Sequence, residues 1–140
     1  MRVIIDSTVL VSIFSDKDKF HRFGLDVFSN ILDKKIEPVI PTFAVVETCG
    51  LIGRKFGQHL AAIVEDQLST WVDNGMLLVK ELTLDRMKYA TEDAIRFGLK
   101  GADAVFVALT KEIGAKLITF DDKVEKKVAG KIGIYKIKVD

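Results

Sequence analysis

The stretch MRVIID, residues 1–6, is an apolar, β-favouring run that stops at Asp6, and the residues after it, 8–14, read as a short helix. KLITFDDKV, residues 116–124, repeats the arrangement: Leu117 to Phe120 is strand-like, Asp121 and Asp122 break the run, and a short helical pattern covers residues 124–128. Two strands far apart in sequence each end in an aspartate. Whether those ends meet depends on what lies between them.

The intervening chain alternates strands with helices. From Phe20 the apolar positions fall at Phe20, Phe23, Val27, Phe28, Ile31 and Leu32, the spacing of one helix face. EPVIP, residues 37–41, is a second strand, and residues 42–56 form a helix that stops at Gly57. Leu60, Ile63, Val64, Leu68, Trp71 and Val72 mark another amphipathic helix. MLLVKEL, residues 76–82, is a third strand, followed by helices over residues 83–97 and 102–113 that end at Gly98 and Gly114. In IYKIKV, Tyr135, Ile137 and Val139 alternate in the manner of an edge strand. This order predicts an α/β fold with a mostly parallel central sheet covered on both faces. Ligands bind such sheets outside the carboxyl ends of the strands. If the strands ending in Asp6 and Asp121 are neighbours, the two side chains share one crevice.

Composition limits the alternatives. At 140 residues and 49% hydrophobic, the chain supports one well-formed core, so a single domain over residues 1–140 is expected. With 21 Lys and Arg against 20 Asp and Glu, no overall field draws it to nucleic acid or to an anionic membrane. The lone Cys49 excludes an internal disulfide framework. Asp6 interrupts the first apolar run and no small-residue cleavage site follows, which argues against a secretory signal. Elsewhere no apolar segment approaches the ~18 residues of a membrane span. A cytoplasmic protein without a membrane segment is the expectation.

The helices add acid. Glu47 lies in the otherwise apolar PTFAVVETCG, and Asp103 is the only charge between Lys100 and Lys111. A helix apolar nearly all round is buried, and a lone buried carboxylate is costly unless paired, hydrogen-bonded or bound to a cation. Each acid has an ordinary explanation: Asp6 as a helix cap, Asp103 as a cap, Glu47 as a partner of Arg54 or Lys55, and Asp121 and Asp122 as turn residues. The conjunction argues for more, because crowded carboxylates repel unless a cation compensates. Hard oxygen donors without nearby histidine or thiolate suit Mg²⁺ or Mn²⁺, as one or two ions. His21 and His59 lack ligand spacing, and Cys49 reads as a buried structural thiol. Strand geometry favours Asp121 for the crevice, since it continues the Thr119 side of LITF, and leaves Asp122 to cap the following helix.

DSTVL, PTFAVVE, GLKGADAVFVALT and LITFDDKV, in this order, resemble the PIN-domain family, especially its small toxin-type (VapC-like) members. The resemblance implies a three-layer α/β/α sandwich and a Mg²⁺- or Mn²⁺-dependent endoribonuclease, the toxin of a toxin–antitoxin pair. It places Asp6, Glu47, Asp103 and Asp121 on the family's catalytic, metal-holding acids. Ser7, Thr8 and Thr119 fall on supporting polar positions, although many relatives carry Asn or Ser where Thr8 stands. It further implies an RNA substrate, a homodimer and a small antitoxin. Lys123, Lys126 and Lys127, with Lys131, lie where they would contact RNA phosphates, or else form a solvated face. Three rivals remain. A haloacid-dehalogenase-type phosphatase needs an acid where Thr8 stands, and a receiver domain needs an aspartate closing MLLVKEL. A non-catalytic PIN-fold RNA-binding or scaffold module keeps the pocket without the reaction.

Overall fold

The computed structural model describes residues 1–137, so Val139, the last position of the expected edge strand, lies outside them. Strands β1 (Arg2–Ile5), β2 (Glu37–Pro41), β3 (Leu78–Lys80), β4 (Lys116–Ile118) and β5 (Gly133–Ile134) form one sheet in the order β3-β2-β1-β4-β5. Every pairing is parallel. The helices are α1 (Ser7–Phe14), α2 (His21–Leu32), α3 (Phe43–Phe56), α4 (Gln58–Asp73), α5 (Leu84–Phe97), α6 (Gly101–Ile113) and α7 (Asp122–Val128). Val3, Ile4 and Ile5 of the central strand are wholly buried. Consecutive strand residues point to opposite faces, so helices cover the sheet on both sides, as parallel pairing requires. Among the described residues no helix is long and apolar enough to cross a membrane.

The expected α/β architecture is therefore present, with shorter strands. β3 covers residues 78–80 rather than 76–82, because it pairs only with β2 and lies at the sheet's edge. β4 ends at Ile118, before Thr119 and Phe120. There the Thr119 hydroxyl accepts the Asp121 N–H at 3.0 Å and turns the chain out of the ladder. β5 is an edge strand of two residues; Tyr135 and Ile137 lie beyond it.

Aromatic packing fixes α1, the helix that follows the Asp6 strand. Trp71 of α4 stacks between Phe14 of α1 and Phe28 of α2, with ring centroids 5.1 and 5.2 Å away. Gly24 of α2 permits close approach: a Cβ there would lie 2.7 Å from the Ser12 carbonyl carbon and 2.8 Å from the Ile13 nitrogen. The His21 Nδ1 meets the Ser12 carbonyl oxygen at 2.7 Å, so this histidine is half-buried and structural. Not all of the apolar stripe on α2 is spent on the core. Val27 and Ile31 are buried, whereas Leu32 is exposed and Phe20 and Phe23 pack against Phe120 instead. On the other side of the molecule, Arg86–Glu112 and Lys111–Asp93 pairs at 2.9 and 2.8 Å join α5 to α6.

Candidate active site

β1 and β4 are neighbours, paired from Val3↔Lys116 to Ile5↔Ile118, and the Asp6 N–H donates to the Ile118 carbonyl oxygen at 3.3 Å. The strand ends bearing Asp6 and Asp121 thus open on one crevice. Asp6 caps α1: its Oδ1 accepts the Thr8 and Val9 N–H groups at 3.1 and 3.3 Å and also the Thr8 hydroxyl. Only 4% of Asp6 is exposed. Thr8 Oγ1 in turn accepts the Phe120 N–H at 3.1 Å, tying the loop after β4 to the end of β1. Thr119 lies against the same carboxylate. Ser7 donates its hydroxyl to Glu47 Oε1, drawing α3 to the start of α1. Among the described residues Glu47 makes this contact and no ion pair with Arg54 or Lys55.

Asp103 stands in the first turn of α6, where the helix dipole favours a negative charge, and it does not cap the helix. The capping explanation therefore fails for Asp103 and holds for Asp6. It holds also for Asp121 and not for Asp122, which reverses the expected division. α7 starts two residues earlier than its apolar pattern over residues 124–128, so Asp121 takes the N-cap position and accepts the Lys123 and Val124 N–H groups at 2.9 and 3.4 Å. Asp122 becomes the first helical residue and is exposed. The alternation used to separate the pair does not reach it, because the extended chain ends at Ile118.

The electrostatics join these acids. Burial pushes the Asp6 carboxyl from an ordinary 3.8 up to about 6, against hydrogen bonds from Thr119, Thr8 and Val9, and Asp103 repels it further. Burial also raises Asp103, and repulsion from Asp121 and then Glu47 adds to it, while Lys100 and Lys127 act in the opposite direction. Asp103 is the hub through which all the predicted acids feel one another. Among the described residues, no three His, Cys, Asp or Glu side chains converge tightly enough to cage a metal ion. Mg²⁺ needs no such cage, since it commonly takes one or two carboxylates and fills its sphere with water and substrate phosphate. Oxygen-only donors that repel one another, one of them buried with a raised pKa, fit a divalent cation.

Sequence reasoning missed Lys100. It occupies the N-cap position of α6, where a side-chain cap is absent and a positive charge opposes the dipole. That misfit, three residues before Asp103, was a readable signal. Of the expected phosphate-binding lysines, Lys127 donates its Nζ to the Gly98 carbonyl at 2.8 Å and lies near Asp103. Lys123 and Lys126 are exposed on α7, and Lys131 is exposed beyond it. Cys49 is half-buried rather than buried, its thiol pushed up by burial and by Glu65.

The model of the PIN domain family matches residues 3–130. The chain belongs to the PIN domain family. The phosphatase and receiver readings are thereby set aside. Solved PIN-fold structures resemble it over nearly their whole length. VapC20 of Mycobacterium tuberculosis, a toxin that cleaves the sarcin-ricin loop, superposes with a TM-score of 0.73 at 16% identity, covering 93% of this chain and 95% of that one. A toxin–antitoxin complex from Klebsiella pneumoniae gives 0.68 at 16% identity, covering 97% and 98%. FitAcB of Neisseria gonorrhoeae gives 0.65 at 14% identity, covering 96% of each. At these identities the likeness establishes the fold of the PIN domain. Compared with curated protein sequences, the chain finds no significant match.

Asp121 caps α7 and adds negative charge beside Asp103, and substitutions separate the cap from the charge. Asn is as good an N-cap as Asp, so Asp121→Asn is expected to keep stability and lower RNA cleavage. Asp121→Ala is expected to do both kinds of damage, with a stability loss of about 0.5–2 kcal/mol. Urea unfolding alongside single-turnover cleavage reads the two effects; equal stability of both variants would remove the capping role.

Proposed function

We propose that this PIN domain, acting as one unit over residues 1–140, is a divalent-metal-dependent endoribonuclease and the toxin of a toxin–antitoxin pair. The observation that carries the reading is the coupling of Asp103 to Asp6, Asp121 and Glu47 at the carboxyl ends of β1 and β4. Asp6 and Asp103 would be the principal ligands of Mg²⁺ or Mn²⁺, with Glu47 and Asp121 completing the site or serving a second ion. When bound, the ion supplies Lewis-acid charge that offsets negative charge on the phosphoryl oxygens and makes water a better nucleophile.

The protein's own part is to hold and orient. Thr8 and two backbone N–H groups fix one oxygen of Asp6. Ser7 orients Glu47 from the adjacent position. Lys100 and Lys127, beside Asp103, supply positive charge for the substrate phosphates, and Lys123 and Lys126 extend it along α7. No side-chain nucleophile is required.

The toxin–antitoxin context rests on the fold shared with the toxin VapC20 and with the Klebsiella toxin–antitoxin complex. A small antitoxin would cover the acidic crevice. A homodimer has support in exposed apolar side chains: Val46 on α3 is 74% exposed, and Leu84 and Ile95 on α5 are 75% and 80% exposed.

A panel of RNAs incubated with Mg²⁺, Mn²⁺ or EDTA tests the reading. Cleavage is expected with either ion and is expected to stop in EDTA, because the carboxylates alone do not activate water. Cleavage that persists in EDTA would sink the metal mechanism. No cleavage of any RNA under any condition would leave the non-catalytic PIN-fold module.

A further inference from the structure

Beside the acids lies a recess of about 320 Å³ that the reaction described above does not use. Phe20, Phe23, Phe120 and Tyr135 form its apolar walls, and Thr119 and Asp122 give it polar edges. The Phe120 ring stands 5.2 Å from Phe20 and 6.2 Å from Phe23, tilted by 31° and 56°. Phe20 and Phe23 extend the apolar stripe of α2 past the part that the core absorbs, and Phe23 remains 37% exposed. Phe120 and Tyr135 pack partly against the core, whereas Phe20 and Phe23 do not, which leaves these two rings available for contact with something else.

The recess meets the acidic crevice at Thr119. Thr119 lines it and also lies against Asp6, and the Phe120 N–H is held by the hydroxyl of Thr8. A group seated on Phe120 is therefore a near neighbour of a phosphate placed at Asp6 and Asp103. Asp122 and Glu125 line the recess and disfavour a phosphate inside it, although Lys136, which lines it too, is paired with Glu125. It suits a flat, uncharged group with an apolar face and hydrogen-bond donors at its edge. Positive charge stands at the rim in Lys19, whose Nζ lies 4.9 Å from the centre of the Phe20 ring. Flat apolar interior, acceptor edge and cationic rim together match an unstacked base with its flanking phosphates.

Resting on the ribonuclease reading, we propose that Phe20, Phe23 and Phe120 form a nucleobase subsite that seats an unpaired base of the RNA next to the scissile phosphate. A base held there draws the phosphodiester across Asp6 and Asp103 and commits the substrate to single-stranded or looped RNA. A hydrophobic segment of a partner protein is the competing occupant, and it offers no use for the acceptor edge or the cationic rim.

The test measures binding separately from cleavage, using the Asp103→Asn variant and fluorescein-labelled oligo(A) beside an abasic ribose-phosphate oligomer of the same length. Oligo(A) is expected to bind about 10- to 100-fold more tightly than the abasic oligomer, the scale of base stacking on an aromatic ring. Phe20→Ala is expected to abolish most of that difference, and Phe20→Trp to preserve it. Thermal melts check folding, and Phe23→Ala, at an exposed position, serves where Phe20→Ala does not fold. Equal binding of the two oligomers, or a preference untouched by Phe20→Ala and Phe23→Ala, would overturn the subsite. So would variants that weaken capture of an isolated hydrophobic peptide while leaving oligo(A) binding unchanged. Wild-type cleavage of the RNA panel is read in parallel: if it succeeds while the oligomers bind equally, the subsite falls and the ribonuclease stands.

Discussion

Asp6→Asn and Asp103→Asn are each expected to lower RNA cleavage about a hundred- to a thousandfold, the scale of removing one preorganised electrostatic group, while the fold persists. The persistence follows from local geometry. Asp6 holds α1 through one oxygen that accepts two backbone N–H groups, and the Asn carbonyl oxygen accepts the same bonds. Asp103 makes no cap, so the start of α6 loses only a favourable dipole contact. What both variants lose is charge at the hub of the acidic crevice. Single-turnover cleavage at saturating Mg²⁺, with a thermal melt on the same preparation, separates the outcomes. Variants that no longer fold would make these aspartates structural, and variants that still cut at the wild-type rate would remove them from the site.

The second large effect is on stability without metal. The Asp6 carboxyl titrates at about 6 in the folded protein against 3.8 ordinarily, so between these values the folded chain binds more protons than the unfolded one. Protonation then favours folding: the contribution is fully present below the unfolded value and is lost as pH rises through about 6. At pH 7 the ionised, buried Asp6 costs about 3 kcal/mol. Asp103 is shifted in the same direction. In EDTA, Asp6→Asn is expected to raise the Tm at pH 7 by up to about 10 °C for a chain of this size. The gain over wild type should shrink as pH falls toward 4. Saturating Mg²⁺ or Mn²⁺ should reverse the order, because it stabilises the wild type by binding only the folded state. A variant whose advantage over wild type does not change between pH 7 and pH 4 would mean that the Asp6 carboxyl is not held up by burial.

Much of this was readable in advance, for identifiable reasons. β2 was bounded correctly because its prolines mark both ends, and the C-terminal ends of α5 and α6 were placed correctly because Gly98 and Gly114 adopt the left-handed conformation at φ 64° and 68° that closes a helix, while each start fell one residue away. The acids were legible as interruptions, because a carboxylate such as Asp6 or Asp103 is costly in an apolar stretch unless something compensates it. The errors fell where tertiary structure outranks local pattern. Strand ends depend on how far a neighbour extends, which shortened β3 and β4. Leu117 and Ile118 are both buried because helices cover both faces, so alternation carried no information about inside and outside. The same loss of period misassigned the cap between Asp121 and Asp122. Phe20 and Phe23 have the spacing of core residues, and only the course of the loop after β4 reveals that they face Phe120.

The central place of β1, between β2 and β4, also bears on the protein's synthesis. The Thr8 hydroxyl that steadies Asp6 also holds the Phe120 N–H, a bond spanning 112 positions. A chain emerging from the ribosome carries Asp6, Glu47 and Asp103 well before it carries the strand that borders Asp6 or the loop that closes the crevice. Until β4 slots in beside β1, the acids have no common wall and the aromatic recess has no floor. On the ribonuclease reading, the site is complete only after β4 and the loop that follows it have been made and have packed beside β1.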